Sequence, residues 1–316
     1  MSITRVATAN AFDASIARIS QRSAEFSDLQ EKLSAGKRVL RASDDPVAAT
    51  MAEREHNRIL RTDADLRALE RSRSSLQLAE GSVAQMGEFL ARFQELLVQG
   101  SNSVLTSSDR NSISLEMRGL REQVLNLANV QDAEGNALLG GLGVTNASGR
   151  PFEQVGPPTS VTPHLLAGQA AATEVGLPNR VDGDFALNNL ASADPGVVGN
   201  TDLFAIMQRA IDTLEDTGLS ATARTAALAH VNADLQTGQD RLLLVRGRLG
   251  ELLQRADSID SMLQDRSLAG QQALSQLTDL DMVRAISDFQ TRQLGLQAAL
   301  QSYAQVQRLS LFQFIA

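Results

Sequence analysis

Two predicted helices meet at residues 34–49, which read "SAGKRVLRASDDPVAA". Gly36 is a natural C-terminal stop for the first helix, because glycine readily adopts the left-handed conformation at which helices commonly end. Pro46 suits the first turn of the second helix, where its missing N–H and fixed φ cost nothing. Asp45 is then the predicted N-cap, since the residue before a proline avoids helical geometry. The stretch therefore predicts a hinge.

Paired carboxylates occur at Asp44 and Asp45 and again at Asp279 and Asp281, and such pairs can serve acid–base chemistry or bind a metal. Both pairs precede a predicted helix, where a carboxylate accepts hydrogen bonds from free N–H groups and offsets the helix macrodipole. We therefore predict caps and no catalytic, cofactor or metal site. Asp44 has no capping role in this scheme. We expect it to pair with a basic residue of the hinge, in its own subunit or the next. These basic residues are Lys37, Arg38 and Arg41.

Apolar residues recur at heptad spacing on both sides of the hinge, which predicts long amphipathic helices. The stripe of the first helix is Phe12, Ile16, Ile19, Phe26, Leu29 and Leu33. A second helix, from about Pro46 to Gln99, carries Leu69, Leu76, Val83, Leu90 and Leu97. A third, shorter helix carries Ile113, Met117, Leu120, Val124 and Leu127, with Ser108 or Asp109 as its predicted cap.

The C-terminal half repeats the pattern. One helix begins at Thr201 and Asp202, and the next has the longest repeat in the chain, with a companion position of Val231, Val245, Leu252 and Ile259 that is interrupted at Gly238. Its seam is Leu228, Leu235, Leu242, Leu249, Ala256 and Leu263. The last helix begins at "LTDLDM", where Thr278 and Asp281 have capping-box spacing. Its stripe is Ile286, Phe289, Leu296, Leu300 and Tyr303, continued by Leu309, Leu311 and Phe312.

The polar face of the last helix is unusual. No charged residue lies between Arg292 and Arg308, and glutamines recur every four residues, at Gln293, Gln297, Gln301 and Gln305. Exposed helix faces normally carry charge, so this helix is predicted to be buried on more than one side. The terminal stripes expose apolar surface that a monomer would not favour, so we expect them to be ordered by neighbouring subunits.

Residues 141–200 cannot form a long helix, because they contain six of the seven prolines. The runs "GRPFEQV" and "TEVGL" are read as short strands in a small domain. The predicted fold is mainly α, an elongated nested helical rod with paired N- and C-terminal helices and a small β/loop-rich domain inserted at the tip. Its domains would be 1–42 with 275–316 (terminal coiled coil), 43–140 with 201–274 (long-helix bundle), and 141–200 (outer domain).

Composition excludes several classes of function. The net charge of −8, with basic and acidic residues interleaved, argues against a nucleic-acid partner. The chain has no cysteine for disulfides or thiolate chemistry, and its three histidines lack metal-site spacing. The glycines of "GGLG" at 140–143 lack a following Lys-Ser/Thr and predict a turn. Neither a conventional signal peptide nor a membrane-spanning run is visible, since "LLLV" is the longest aliphatic run.

Three elements, in order along the chain, resemble those of a known family. They are "LQEKLSAGKRVLRASDDPVAA" (29–49), "NVQDAEGNALLGG" (129–141) and "ALQSYAQVQRLSLFQFIA" (299–316). They are similar to elements of the flagellar hook-filament junction family, also called hook-associated protein 3, within the flagellin superfamily. Flagellin itself usually has Leu where this chain has Lys37 and Ala where it has Pro46. Departures from the junction pattern are Ala35 in place of Ser and Phe314 where Tyr is common.

The resemblance implies a non-enzymatic structural adaptor, without cofactors, exported through the flagellar type III apparatus without a cleaved signal peptide. Its implied location is the extracellular flagellum, where it would form a homo-oligomeric ring or helical layer. The implied partners are another hook-associated protein on the hook side, flagellin on the filament side and an export chaperone on the C-terminal segment. The Gln-rich face of the last helix is a candidate channel wall. Alternatives are a flagellin-type filament subunit, a non-exported cytoplasmic helical scaffold and, more remotely, an enzyme with its site in residues 141–200.

Overall fold

The computed structural model of the chain describes the backbone of residues 3–315, except 156–159, 171 and 174, and side chains only within residues 13–305. The helices in this part are α1 (Ile3–Ala35), α2 (Pro46–Gly100), α3 (Ser107–Ala128), α4 (Gly183–Leu187), α5 (Leu203–Glu215), α6 (Ala221–Thr278) and α7 (Met282–Ile315). The strands are β1 (Gly143–Val144), β2 (Phe152–Val155), β3 (Ser160–Pro163), β4 (Leu165–Leu166), β5 (Leu190–Ala191) and β6 (Asn200–Thr201). The mainly-α prediction is confirmed.

The chain forms two compact units. The terminal unit comprises Met1–Thr62 with Asp265–Ala316, and the central unit comprises Asp63–Gln264. Helices α2 and α6 contribute residues to both units.

The central unit contains a large hydrophobic core, formed by α2, α3, α5, α6 and the segment between α3 and α5. The α2 stripe from Leu69 to Leu97 is buried, as is the α6 seam from Leu228 to Leu263, so both predicted registers are confirmed. Gly238 interrupts the companion position of α6 because α5 approaches closely there. A Cβ at this position would lie 2.9 Å from the Leu203 Cδ1 atom.

Buried charges fix α5 within the central unit. The Arg121 Nε atom on α3 donates to the Phe204 carbonyl at 3.3 Å. Asp234 on α6 is fully buried and accepts from the Arg209 Nη2 atom of α5 at 2.8 Å and from the Ser192 hydroxyl at 2.6 Å. A buried carboxylate requires such partners, because its desolvation cost is otherwise not offset. Sequence periodicity gives no signal for these contacts.

Helix starts in this unit differ partly from the sequence prediction. Helix α5 begins at Leu203, just after the predicted start at Thr201 and Asp202, and Asp202 is its cap, accepting from the Ala205 amide. The cap of α3, however, is Thr106, and Asp109 is the third helical residue of a capping box with it. The prediction of Ser108 or Asp109 as the cap was therefore wrong, because the helix begins at Ser107, two residues before Asp109.

The segment between α3 and α5 contains three two-stranded antiparallel sheets, β1 with β4, β2 with β3, and β5 with β6. The run "GRPFEQV" contains β2, as predicted. The described residues of the run "TEVGL" do not form a strand. Its Thr173 amide donates to the Leu177 carbonyl at 2.7 Å, and Gly176 has φ of +79°, which makes the run a turn.

Candidate assembly site in the terminal unit

Two linkers lie side by side in the terminal unit, residues 36–45 between α1 and α2 and residues 279–281 between α6 and α7. We call them the linker pair. The Arg38 amide donates to the Thr278 carbonyl at 2.8 Å, and the Leu280 amide donates to the Gly36 carbonyl at 3.0 Å. Lys37 and Asp279 form an antiparallel bridge between these bonds. The backbone thus fixes the end of α1 against the start of α7.

Gly36 and Asp45 mark the ends of the first linker, as the sequence predicts. Helix α1 ends at Ala35, and Gly36 follows with φ of +66°, a conformation that favours glycine. The Asp45 carboxylate accepts from the Ala48 amide at 2.9 Å and caps α2, whose first residue is Pro46. The Ala48 amide, followed by the Arg38 side chain at 3.2 Å, lowers the pKa of Asp45.

Asp44 has a different role from the one expected. Its carboxylate accepts from the backbone amides of Leu40 and Arg41, both at 3.1 Å, and the Arg41 and Leu40 amides lower its pKa. The predicted pairing with basic side chains of its own subunit is therefore wrong among the described residues, because the turn presents two amides to this carboxylate. The basic residues have other contacts within the chain. Lys37 bridges to Asp279 through its backbone, Arg38 contacts Asp45, and Arg41 pairs with Glu31 at 2.7 Å.

The second linker also corrects a sequence prediction. Asp281 caps α7 by accepting from the Val283 and Arg284 amides at 3.1 and 3.2 Å. Thr278 is not part of a capping box with it, because α6 continues to Thr278 and the hydroxyl of this residue donates to the Leu274 carbonyl at 2.9 Å. The pKa of Asp279 is lowered, chiefly by the Ser275 hydroxyl, which donates at 2.6 Å.

Helices α1 and α7 pack against each other beyond the linker pair, and we call them the terminal helix pair. The rings of Phe26 and Phe289 stack with centroids 4.7 Å apart. The Arg22 Nη1 atom donates to the Gly295 carbonyl at 3.1 Å, which closes the contact one to two turns further along α7. The predicted pairing of the N- and C-terminal helices is therefore present.

The predicted apolar stripe is only partly covered. Its half-buried residues are Ile19, Phe26, Leu29, Leu33, Phe289, Leu296 and Tyr303. Its exposed residues are Ile16, Ile286 and Leu300. The side chains of Phe12, Leu309, Leu311 and Phe312 lie outside the described residues. Among the described side chains of the terminal helix pair, Ala285 alone is buried.

A second apolar set lies on α7 that the heptad count missed. Val283 and Leu294 are 83% and 66% exposed. They are eleven residues apart, about three turns, and therefore share one face of the helix. The glutamines Gln293, Gln297, Gln301 and Gln305 are also exposed. Gln297 and Gln301 follow Leu294 at helical spacing, so this face of α7 combines apolar and uncharged polar side chains.

The described residues contain no group of three or more His, Asp or Glu side chains placed to hold a metal ion. In the same part of the chain, every helix is either too short or too polar to cross a membrane. The geometry in the terminal unit is that of a packing surface.

Comparisons with known proteins relate this chain to flagellar proteins. Residues 6–143 match the family model described as the bacterial flagellin N-terminal helical region. Flagellar hook-associated protein 3 of Escherichia coli strain K12 is 30% identical over 98% of this chain and 99% of its own length. The Salmonella typhimurium protein of the same name is 28% identical over the same shares. The crystal structure of flagellar hook-associated protein-3 from Legionella pneumophila has a TM-score of 0.61 at 15% identity and covers 71% of this chain and 98% of that one, a likeness of fold.

Proposed function

The chain belongs to the flagellar hook-associated protein 3 family, and on that premise we propose that it is a structural adaptor of the bacterial flagellum. It would join the layer of another hook-associated protein to the flagellin filament, two polymers whose subunits pack differently. Its relatives are structural flagellar proteins, which fits a role without catalysis.

The half-covered surface of the terminal helix pair is the observation that carries this proposal. A helix pair with Val283 and Leu294 exposed leaves apolar area that neighbouring helices would bury. Burial contributes about 25 cal/mol per Å² of apolar surface, less the cost of ordering the helices. The adaptor would therefore hold its neighbours through coiled-coil packing of α1 and α7.

The three predicted domains fit successive shells of such an assembly. Residues 1–42 with 275–316 would form the inner coiled coil, residues 43–140 with 201–274 the next shell, and residues 141–200 the outer surface. In this scheme the linker pair sets the angle between the inner shell and the next. Asp44 supports it through the turn that its carboxylate closes, and a contact of Asp44 with the next subunit is retained as a proposal.

The Gln-rich face of α7 is the proposed wall of a central channel. Uncharged polar side chains would offer hydrogen bonds without a fixed charge to trap passing chains. Replacing Gln297 and Gln301 by Glu should slow filament growth, measured as filament length over time. The matched control is Gln271→Glu, at an exposed position of α6 in the same unit. Equal rates of filament growth in the Gln297 and Gln301 variant and in the control would contradict this role.

Export would proceed through the flagellar type III apparatus, with no cleaved signal peptide and with a chaperone on the C-terminal segment. The mature location would be the extracellular flagellum.

Deletion of the gene in the source bacterium tests the adaptor role. We expect complete hooks, no filaments and flagellin shed into the medium, and we expect the full chain to restore filaments. Normal filaments in the deletion strain would refute the proposal.

Two complementing variants test whether the terminal helix pair supplies the binding. Leu294→Asp should be exported and folded yet leave flagellin in the medium, because a charge would enter the proposed packing surface. The control is Leu115→Asp on α3, since Leu115 is 72% exposed and lies in the central unit. It should restore filaments. Full function of Leu294→Asp would contradict coiled-coil packing through this face.

A further inference from the structure

Helix α6 carries arginines at heptad spacing, Arg241, Arg248 and Arg255, which we call the arginine strip. At about 1.5 Å per residue, successive members lie about 10 Å apart along one side of the helix. All three belong to the central unit. This row of positive charge occurs in a chain whose net charge is −8.

The first two guanidinium groups are held by one aromatic ring. The Cζ atoms of Arg241 and Arg248 both lie 4.3 Å from the ring centre of Phe185 on α4. Arg241 also donates through its Nη1 atom to the Phe185 carbonyl at 3.1 Å. Phe185 is itself fixed, because its amide donates to the capping carboxylate of Asp182 at 3.1 Å. Stacking orients a guanidinium and leaves its in-plane N–H groups available to an acceptor.

The third arginine lies over a turn of the outer segment. The Arg255 Nη2 atom is 3.6 Å from the position that a Cβ on Gly176 would occupy. Gly176 has φ of +79°, a conformation that favours glycine. Because glycine has no side chain, the backbone of this turn can lie close to the Arg255 guanidinium. Arg255 is exposed.

Arg248 and Arg255 have no carboxylate within 4.0 Å among the described residues. Among the described residues, Glu251, which lies between the two arginines in sequence, makes no ion pair with either, and Asp257 pairs with Arg73 at 3.0 Å. Two other arginines form ion pairs between α2 and α6, since Arg246 contacts Glu80 at 2.6 Å and Arg73 contacts Asp257 at 3.0 Å. Arg248 and Arg255 therefore present cationic groups without a carboxylate partner in the part of the chain that the structure describes.

We infer that the arginine strip binds carboxylates on a second copy of this chain. The inference rests on the proposed function, in which identical copies lie side by side in one layer. Complementary groups are available on the same unit, because Glu70 and Glu88 on α2 are exposed and have no ion-pair partner among the described residues. They lie eighteen residues apart, five full turns, and so share one face. Preorganised guanidiniums lose little entropy on pairing with a carboxylate, which favours such a contact.

Cross-linking from a single cysteine tests the inference, since the chain has none of its own. Leu244 is 59% exposed and lies one turn before Arg248, so Leu244→Cys can carry a benzophenone beside the strip. In isolated hook–filament preparations we expect an adduct with the mass of two chains. An adduct with flagellin or with another hook-associated protein in its place would overturn the inference.

Charge variants decide whether the strip causes the adduct. Arg255→Glu leaves the Phe185 contacts intact and should abolish most of the two-chain adduct. Arg255→Gln is a milder change and should reduce the yield of the adduct. Arg150→Glu makes the same charge change at an exposed arginine of the central unit without an ion-pair partner among the described residues, and it should leave the adduct unchanged. An adduct of equal yield in Arg255→Glu would show that the strip is not the contact.

The purified full chain provides a test that does not depend on hook or filament. At low salt the same two-chain adduct is expected, and at about 0.5 M salt it should be lost, because exposed charge contacts are screened. An adduct missing from both preparations would overturn the inference. Normal filaments in the deletion strain would instead refute the adaptor role, whatever the cross-link shows.

Discussion

Helices α5 and α7 are both amphipathic, yet only α5 buries its apolar face in a hydrophobic core. Seven apolar side chains of α5, from Leu203 to Leu214, are at most 1% exposed, whereas Ala285 is the sole buried residue among the described side chains of α7. Helix α5 packs within a core supplied by several elements, and α7 packs mainly on α1. An apolar stripe therefore becomes a core only where more than one neighbour covers it, and on the terminal helix pair the missing neighbours are those of the proposed assembly.

The largest expected difference is between two phenylalanines. Phe93→Ala in the central unit should lower the free energy of unfolding by about 3–5 kcal/mol, because it removes a fully buried ring. Phe289→Ala should cost about 1 kcal/mol in the free chain, since the half-buried ring stacks only on Phe26. Urea unfolding followed by circular dichroism measures both. Equal losses would mean that the terminal helix pair has a core of its own.

Two ion pairs sharpen the same comparison. Asp234→Ala should destabilise the central unit by about 3 kcal/mol, because it leaves Arg209 without its buried partner. Glu25→Ala removes the 3.6 Å contact with Arg292 on the terminal helix pair, where both side chains are 47% exposed. Its cost should be about 0–1 kcal/mol. Thermal unfolding of both variants measures these costs. A loss of stability for Glu25→Ala as large as that for Asp234→Ala would contradict the contrast between the central unit and the terminal helix pair.

The smallest effect is expected in acid, where two helix caps should respond with opposite signs. Burial raises the pKa of Asp202 above 3.8, whereas the Ala48 amide lowers that of Asp45 below 3.8. The native state binds more protons at Asp202, so this contribution to stability is present at low pH and is lost as pH rises through the raised pKa. At Asp45 the unfolded state binds more protons, so the contribution is present above about pH 4 and is lost as pH falls through the lowered pKa.

Asn variants isolate these contributions. Asp45→Asn should flatten the acid loss of stability at the linker pair, and Asp202→Asn should flatten the loss on raising the pH in the central unit. Urea midpoints between pH 2 and 7 measure both. Slopes of the same sign for the two caps would contradict the assignment of their environments.

Local patterns in the sequence predicted the regular part of this fold. The α6 seam and the cap at Asp45 depend on residues within one or two turns, where propensity, capping and periodicity act together. The end of α1 before Gly36 could be predicted for the same reason, because it depends on the local preference of glycine.

The contacts that position the candidate site could not be predicted in this way. The linker pair joins Lys37 to Asp279 through backbone groups, which any sequence supplies. Asp44 closes its turn with two amides because they are nearer than any basic side chain, and a carboxylate in sequence does not reveal which donor lies closest. Asp234 meets Arg209 only after α5 and α6 have packed.

Hydrogen exchange of the free and assembled chain tests the central claim most directly. In the free chain, amides of residues 13–35 and 282–305 should exchange much faster than those of α5, because local opening of the terminal helix pair exposes little apolar surface. In isolated hook–filament preparations the same amides should become as protected as α5. Protection of α1 and α7 equal to that of α5 in the free chain would contradict the claim that neighbouring subunits complete the core of the terminal helix pair.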